Sequence, residues 1–241
     1  MVVADHRSAN PSQQRRVRRS LQTFVLDRHG ARVSAQGDKP LTLDWDGCTN
    51  ARDAGGIVAG IRPGALTRSD SHSRLSPAGV AAVRASGVRR ILDLRWPTEL
   101  AQDPSPLATD PAYRHLPLIA ELAEAGTTMP DAYRSMLDTN QHRITAAFIA
   151  VAEAPPGGVA VHCSAGRDRT GALIALVLAA ADVPDRQIAD DYALTDGCSP
   201  TTMLRMLAHL ETRHGGVIAY LTAGGAEPNH FHRVRSRLSG G

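Results

Sequence analysis

Cys163 and Arg169 stand six residues apart in the stretch Val159-Ala-Val-His-Cys-Ser-Ala-Gly-Arg-Asp-Arg-Thr-Gly171, and the residue types around them are those that hold an anion. The β-branched start reads as a short buried strand. The apolar run from Ala172 to Ala181 is long enough, and rich enough in Ala and Leu, for a buried helix. Between the two, Cys163, Ser164, Ala165, Gly166, Arg167, Asp168 and Arg169 form a loop opening onto a helix N-terminus. Unpaired backbone N–H groups there carry positive partial charge and make a ready anion site. A cysteine at the start of such a nest has its thiolate stabilised, and Arg167 and Arg169 add to that. Arg169 can also fork onto two phosphate oxygens, and the Thr170 hydroxyl can donate towards the sulfur. Thiolate, phosphate cradle and arginine clamp together suit a phosphoryl-transfer nucleophile. A bare cysteine with an arginine six residues on is common by chance, and a lone cysteine is usually a small buried hydrophobe. The full His-Cys-x-x-Gly-x-x-Arg-Thr-Gly string between a strand and a helix is not.

The elements that must position this loop alternate along the chain. Leu21–Leu26 and Leu41–Trp45 have strand character around a polar hairpin. Ser76-Pro77 opens a helix, with Ser as N-cap and Pro at its first position, which stops at Gly87. Arg89–Leu94 is a buried strand, Ala101–Pro111 a loop rich in Pro and Asp, and Tyr113–Ile119 another strand. Helices are predicted over 120–125, 130–137 and 141–154, then over 185–194 and 201–214, with a final pair at 217–221 and 229–238. Strand–helix alternation predicts an α/β fold with a central, mostly parallel sheet flanked by helices on both faces. Ligands in such sheets bind beyond the strand C-termini. Asp93 ends one predicted parallel strand and Cys163 follows another, which gives Asp93 a claim to be the general acid. Asp168, inside the loop, is its rival. His162 is read as a buried orienter, because alternation along the strand turns it away from the side Cys163 faces.

His162-Cys163-Ser-Ala-Gly166-Arg-Asp-Arg169-Thr170-Gly171 resembles the signature loop of the cysteine-dependent protein tyrosine and dual-specificity phosphatases. Its Gly-Arg-Asp-Arg-Thr-Gly half is similar to a bacterial branch of that superfamily, one that includes a secreted mycobacterial phosphatase, with members acting on phosphotyrosine and sometimes phosphoinositides. Asn50-Ala-Arg-Asp-Ala-Gly-Gly56 resembles the branch's Asn-x-Arg-Asp-x-Gly-Gly motif, with Ala51 where relatives carry Phe. Arg62-Pro-Gly-Ala-Leu-Thr-Arg68-Ser, Asp93-Leu-Arg and Asp191-Tyr-Ala-Leu-Thr195 are similar to further segments of the branch, so the resemblance spans roughly residues 40–238. It implies that Asn50, Arg52 and Asp53 brace the site, that Asp93 is the acid, and that Arg68 either faces the site or forms a structural salt bridge. It also implies a two-step, metal-independent reaction without cofactors, through a phosphocysteine.

Composition limits the rest. At 241 residues the chain holds one good-sized domain, and its 42% hydrophobic content with only 4% aromatics implies a core of Ala, Val and Leu. The formal net charge is +3, yet residues 1–20, with five arginines against Asp5, carry +4 of it and leave the remainder near −1. The expectation is a disordered basic tail over 1–20 and a single phosphatase domain over 21–241, with no nucleic-acid partner. Cys48, Cys163 and Cys198 have no metal-ligand spacing, so no metal site is predicted from them. Cys48 stands near enough to the Asn50 motif to be a disulfide partner for an oxidised Cys163. No apolar run approaches a membrane span or a signal peptide, and the expected setting is cytoplasmic. The expected function is a phosphomonoester hydrolase of phosphotyrosine proteins or of dual specificity. Two alternatives remain open here: a phosphatase of a small phosphorylated metabolite, nucleotide-derived or an inositol phosphate, and a non-catalytic phosphate-binding module.

Overall fold

The computed structural model describes residues 42–120 and 128–239, together with two short strands nearer the N-terminus. Those strands, β1 (Phe24–Leu26) and β2 (Arg32–Ser34), pair antiparallel within a unit spanning Met1–Lys39. Of the strand expected over Leu41–Trp45, residues 42–45 are described and form none; Thr42 makes an isolated bridge to Arg52. The tail expected over 1–20 and the helix expected from 120 lie largely outside the described residues.

The second unit, Pro40–Gly241, is built on a five-stranded sheet of order β3-β4-β7-β5-β6. Its members are β3 (Arg52–Asp53), β4 (Leu66–Ser69), β5 (Val88–Asp93), β6 (Tyr113–His115) and β7 (Gly158–His162). β3 runs antiparallel to β4, and the other four are parallel. β7 is central and buried along its whole length, as its Val-Ala-Val run after the Pro-Pro-Gly-Gly turn requires. Side-chain alternation splits the core. Val159, Val161 and Leu92 join the larger cluster, whereas Ala160 and Ile91 join a smaller one with Trp45 and Val83.

Helices cover both faces, as expected, but unequally. α1 (Pro77–Ala85) packs on β5, with Ser76 capping it through the Gly79 N–H at 3.1 Å. A short helix not foreseen in the sequence, α2 (Pro97–Gln102), follows β5. The larger face carries α3 (Met129–Thr139), α4 (Gln141–Ala152), α5 (Asp168–Ala180), α6 (Asp185–Ala193), α7 (Pro200–His214), α8 (Val217–Ala223) and α9 (Pro228–Ser239). α5 is their hub: it contacts α4, α6, α8 and α9, and nearly every residue from Thr170 to Ala180 is buried, which explains its all-round apolar sequence. The strand–loop–helix unit around Cys163 is therefore held in the best-packed part of the molecule.

Candidate active site

β7 ends at His162 and α5 begins at Asp168, so the loop between them is tighter than the sequence pattern implied. Its backbone orientation is set from outside. The Ser71 N–H donates to the Ser164 carbonyl at 2.9 Å, Asn50 Nδ2 to the Ala165 carbonyl at 3.2 Å, and an Arg68 terminal nitrogen to the Gly166 carbonyl at 3.0 Å. Three successive carbonyls are turned outwards, which leaves the loop's N–H groups to converge on its interior beside the N-terminus of α5. Gly166 makes this possible with φ of +65°, and a Cβ there would land 2.3 Å from the Ser69 carbonyl oxygen.

The braces are themselves fixed. Asp191 of α6, buried, bonds Arg68 at 2.7 Å and Arg52 at 3.3 Å, and its carbonyl accepts from Arg52 at 2.8 Å. Arg52 also donates to the Asn50 side-chain oxygen at 2.8 Å. Asp70 accepts from the Thr49 and Asn50 N–H groups, both at 3.0 Å. Arg68 thus faces the site and forms a structural ion pair at once. Asp53 does not join this frame; it caps a short turn through the Gly55 N–H at 2.9 Å and reaches the Gly64 N–H at 2.7 Å. Asp191 and Asp70 were missed in the sequence. Asp191 stands in a segment that resembles the family, and that was the available signal.

Cys163 lies buried at the loop floor, packed with the larger cluster. Arg169, in the first turn of α5, is clasped by Glu99 of α2, with terminal nitrogens 2.5 and 2.9 Å from the two carboxylate oxygens. Its guanidinium also lies 4.5 Å from the centroid of the Trp96 ring. Burial works against the Arg169 charge, but Glu99 and the neighbouring Cys163 sulfur outweigh it and raise its pKa. Glu99, another residue not singled out from sequence, also accepts the Trp96 N–H at 2.7 Å, which holds α2 in place. The Thr170 hydroxyl is buried without a hydrogen-bond partner, a free donor in the wall of the loop. Ser164 and Ala165 are exposed at its mouth.

The two candidate acids sit in opposite surroundings. Asp93 is fully buried in register with His162, and its side chain keeps His162's company on the sheet. Its carboxylate accepts from Arg95 through the backbone N–H at 3.0 Å and the guanidinium at 2.7 Å, and from the Tyr113 hydroxyl at 2.6 Å. Burial opposes its ionisation, yet the His162 ring, Arg95 and Tyr113 favour the charge and hold the carboxyl well below the usual range. Asp168 is partly exposed, with one oxygen 3.2 Å from the Tyr133 hydroxyl and the other 3.2 Å from Arg167 Nε.

His162 is fully buried and stacked on His72 with centroids 4.0 Å apart. Burial lowers the pKa of both rings, and His162 Nδ1 lies 3.4 Å from the Cys163 carbonyl at the start of the loop. Cys48 donates to the Ser71 carbonyl at 3.8 Å, and burial, then Asp70, pushes its thiol up to about 12. That disfavours Cys48 as an attacking thiol towards an oxidised Cys163.

A family pattern described as "Tyrosine phosphatase family" matches residues 43–201, a span that contains the whole frame, the loop and both candidate acids. The chain belongs to this tyrosine phosphatase family. It is 32% identical over 181 residues to a tyrosine-protein phosphatase of Nostoc commune, an alignment covering 68% of this chain and 62% of that protein. It is 28% identical to the triple specificity protein phosphatase PtpB of Mycobacterium tuberculosis over 81% of each chain. A putative tyrosine-protein phosphatase of Cupriavidus necator is also 28% identical, over 70% of this chain and 67% of its own length. The α/β architecture is consistent with this family. Among the described residues no helix is long and apolar enough to cross a membrane.

Proposed function

We propose that the protein hydrolyses phosphomonoesters, foremost phosphotyrosine in proteins, through a phosphocysteine on Cys163, in a cytoplasmic setting and without a metal ion. The observation that carries this reading is the loop itself: three carbonyls fastened outwards, the N–H groups left inwards, and Cys163 beneath Arg169. Such a cradle stabilises the charge on the three equatorial oxygens of a transferring phosphoryl group. The Cys163 thiolate forms the S–P bond as the P–O bond to the leaving group breaks. The departing oxygen takes its proton from Asp168. Water then attacks phosphorus and gives a proton to the Asp168 carboxylate, the S–P bond breaks, and orthophosphate leaves with the thiolate restored.

Asp168 takes the acid's role in preference to Asp93, because it is partly open at the rim of the cradle and bonded to Tyr133. Asp93, saturated by Arg95 and Tyr113, is assigned to support. Arg167 pairs with Asp168, so it steadies the acid before it offers charge to a second phosphate. That favours a single aryl phosphate over a polyphosphorylated inositol. The test is turnover of an aryl phosphate and a phosphotyrosine peptide in excess chelator, with acid-quenched protein searched by mass spectrometry for phosphate on Cys163. Strict dependence on added metal, or phosphate on another residue, overturns the reading.

A further inference from the structure

Away from the loop, α3 and α7 bring together three side chains that the phosphatase chemistry does not use. Asp138 is the penultimate residue of α3, and His214 is the last residue of α7, with His209 on the same helix. His209 Nε2 and His214 Nε2 each lie 2.9 Å from the same carboxylate oxygen of Asp138. Both imidazoles are largely covered, at 14% and 20% side-chain exposure, and Asp138 is the most open of the three. His214 is fixed on its other side by Tyr220, whose ring meets it edge-on at 5.0 Å and whose hydroxyl donates to the Leu137 carbonyl at 2.8 Å. Gly215, in the left-handed conformation at φ of +75°, ends α7 immediately after His214 and turns the chain aside.

We propose that Asp138, His209 and His214 form a site for a divalent transition cation of the zinc class, with water as fourth ligand. Three arguments converge on it. Two neutral imidazole nitrogens and one carboxylate oxygen are the donor set such cations take, and hard cations such as magnesium and calcium prefer oxygen alone. Tetrahedral bonds of about 2.0–2.1 Å place ligand atoms about 3.3 Å apart. The three atoms lie within 4.8 Å of one another, and opening the two N–O contacts from 2.9 Å by a few tenths of an ångström brings them to that spacing. Finally, the C-terminal ends of α3 and α7 meet here, and both helix dipoles favour positive charge at this point. Asp138 alone is misplaced in that field, and a cation held between it and the two imidazoles would answer both its charge and the helix ends.

Chelator-stripped protein titrated with Zn2+ or Co2+ decides the matter. One equivalent should bind, Tm should rise by roughly 5–10 °C at a hundredfold excess over Kd, and Co2+ should show the visible d–d bands of a four-coordinate N/O site. Asp138→Asn and His209→Ala should each abolish the spectrum. The Asn variant keeps the size of an exposed residue, so its folding, followed by circular dichroism, separates loss of the site from loss of the protein. Cys163→Ser should leave the spectrum in place. No bound equivalent, a spectrum that survives Asp138→Asn in folded protein, or one lost with Cys163, overturns the proposal.

Discussion

Two carboxylates that the sequence offers as the acid, Asp93 at the end of β5 and Asp168 at the start of α5, stand in opposite surroundings. Asp93 is sealed into a knot with Arg95, Tyr113 and His162, every hydrogen-bonding direction spoken for. Asp168, at the first turn of α5, keeps partial exposure and only two light contacts, to Tyr133 and Arg167. A group that must give and take a proton needs access to the substrate, which a buried carboxylate locked to a guanidinium lacks. The same division runs through the whole site. In the proposed mechanism Cys163, Arg169, Thr170 and Asp168 act in the cradle, and Arg52, Arg68, Asp191, Asp70 and Asn50 form an ionic frame behind it.

The sharpest test of that division is at the nucleophile. Cys163→Ser should lower turnover roughly 10^4-fold or more while leaving Tm and vanadate binding near wild type, since the loop is fastened by residues that do not touch the sulfur. A Ser variant that retains turnover would dissolve the distinction between cradle and frame.

Next come the two acids. Asp168→Asn should cost about 10^2–10^4-fold on alkyl phosphates and poor aryl leaving groups, and far less on a nitrophenyl phosphate that departs unprotonated, with Tm unchanged. Asp93→Asn should do the reverse. Removing that charge strands Arg95 in the interior and should cost about 3–5 kcal/mol of stability, with no dependence on the leaving group. The sign of the pH effect follows from the lowered Asp93 pKa. Its stabilisation is present above the unfolded carboxylate value of about 3.9 and is lost as pH falls through the folded value. Wild type should therefore lose stability on acidification below about pH 4 more steeply than Asp93→Asn. A leaving-group dependence in the Asp93 variant would return the acid's role to it.

Much of this was legible in the sequence. Val159–Gly171 declares strand, loop and helix by composition, and the strand and helix form on either side of the loop, although α5 already begins at Asp168 and takes Arg169 into its first turn. Ser76 and Gly87 bound α1 in the same local way. The reading of Asp93 shows where local pattern stops. Placing it at a strand end was right, but the side it faces depends on its pairing with His162, a residue on another strand. The argument that turned His162 away from the site turns Asp93 away as well, once that register is known. The partners of Glu99 and Asp191 could not be read from spacing for a related reason: Arg169 lies 70 residues from Glu99, and Arg68 lies 123 from Asp191. Leu41–Trp45 has strand composition, but among its described residues Thr42 alone forms a bridge, since strand propensity matters only where a partner edge exists.

The frame itself can be probed at Asp191→Asn. Two guanidinium groups share that carboxylate, so its loss should destabilise the fold by about 3–5 kcal/mol and, by loosening Arg68 from the Gly166 carbonyl, lower turnover about tenfold through misplacement of the cradle. Restoring Tm with a stabilising solute such as trimethylamine oxide should not restore kcat, because the loss lies in geometry rather than in the amount of folded protein. Recovery of both together would make the frame a matter of stability alone.

The smallest effect is expected at Glu99, which stands on the boundary between cradle and frame. It touches no loop carbonyl, yet it takes both terminal nitrogens of Arg169 and so decides which way the guanidinium faces. Glu99→Gln keeps the shape and one acceptor oxygen, and Arg169 still rests on Trp96. The loss is therefore close to one charge-assisted hydrogen bond, about three- to tenfold in kcat/KM. It should be shared between a higher KM and weaker inhibition by inorganic phosphate, since Arg169 meets the phosphoryl group in ground state and transition state alike. Stability should move by less than about 1 kcal/mol, as the pair is partly open to water. A loss of a hundredfold or more confined to kcat would place Glu99 inside the chemistry, and unchanged inhibition by phosphate would mean that Trp96 alone aims the arginine.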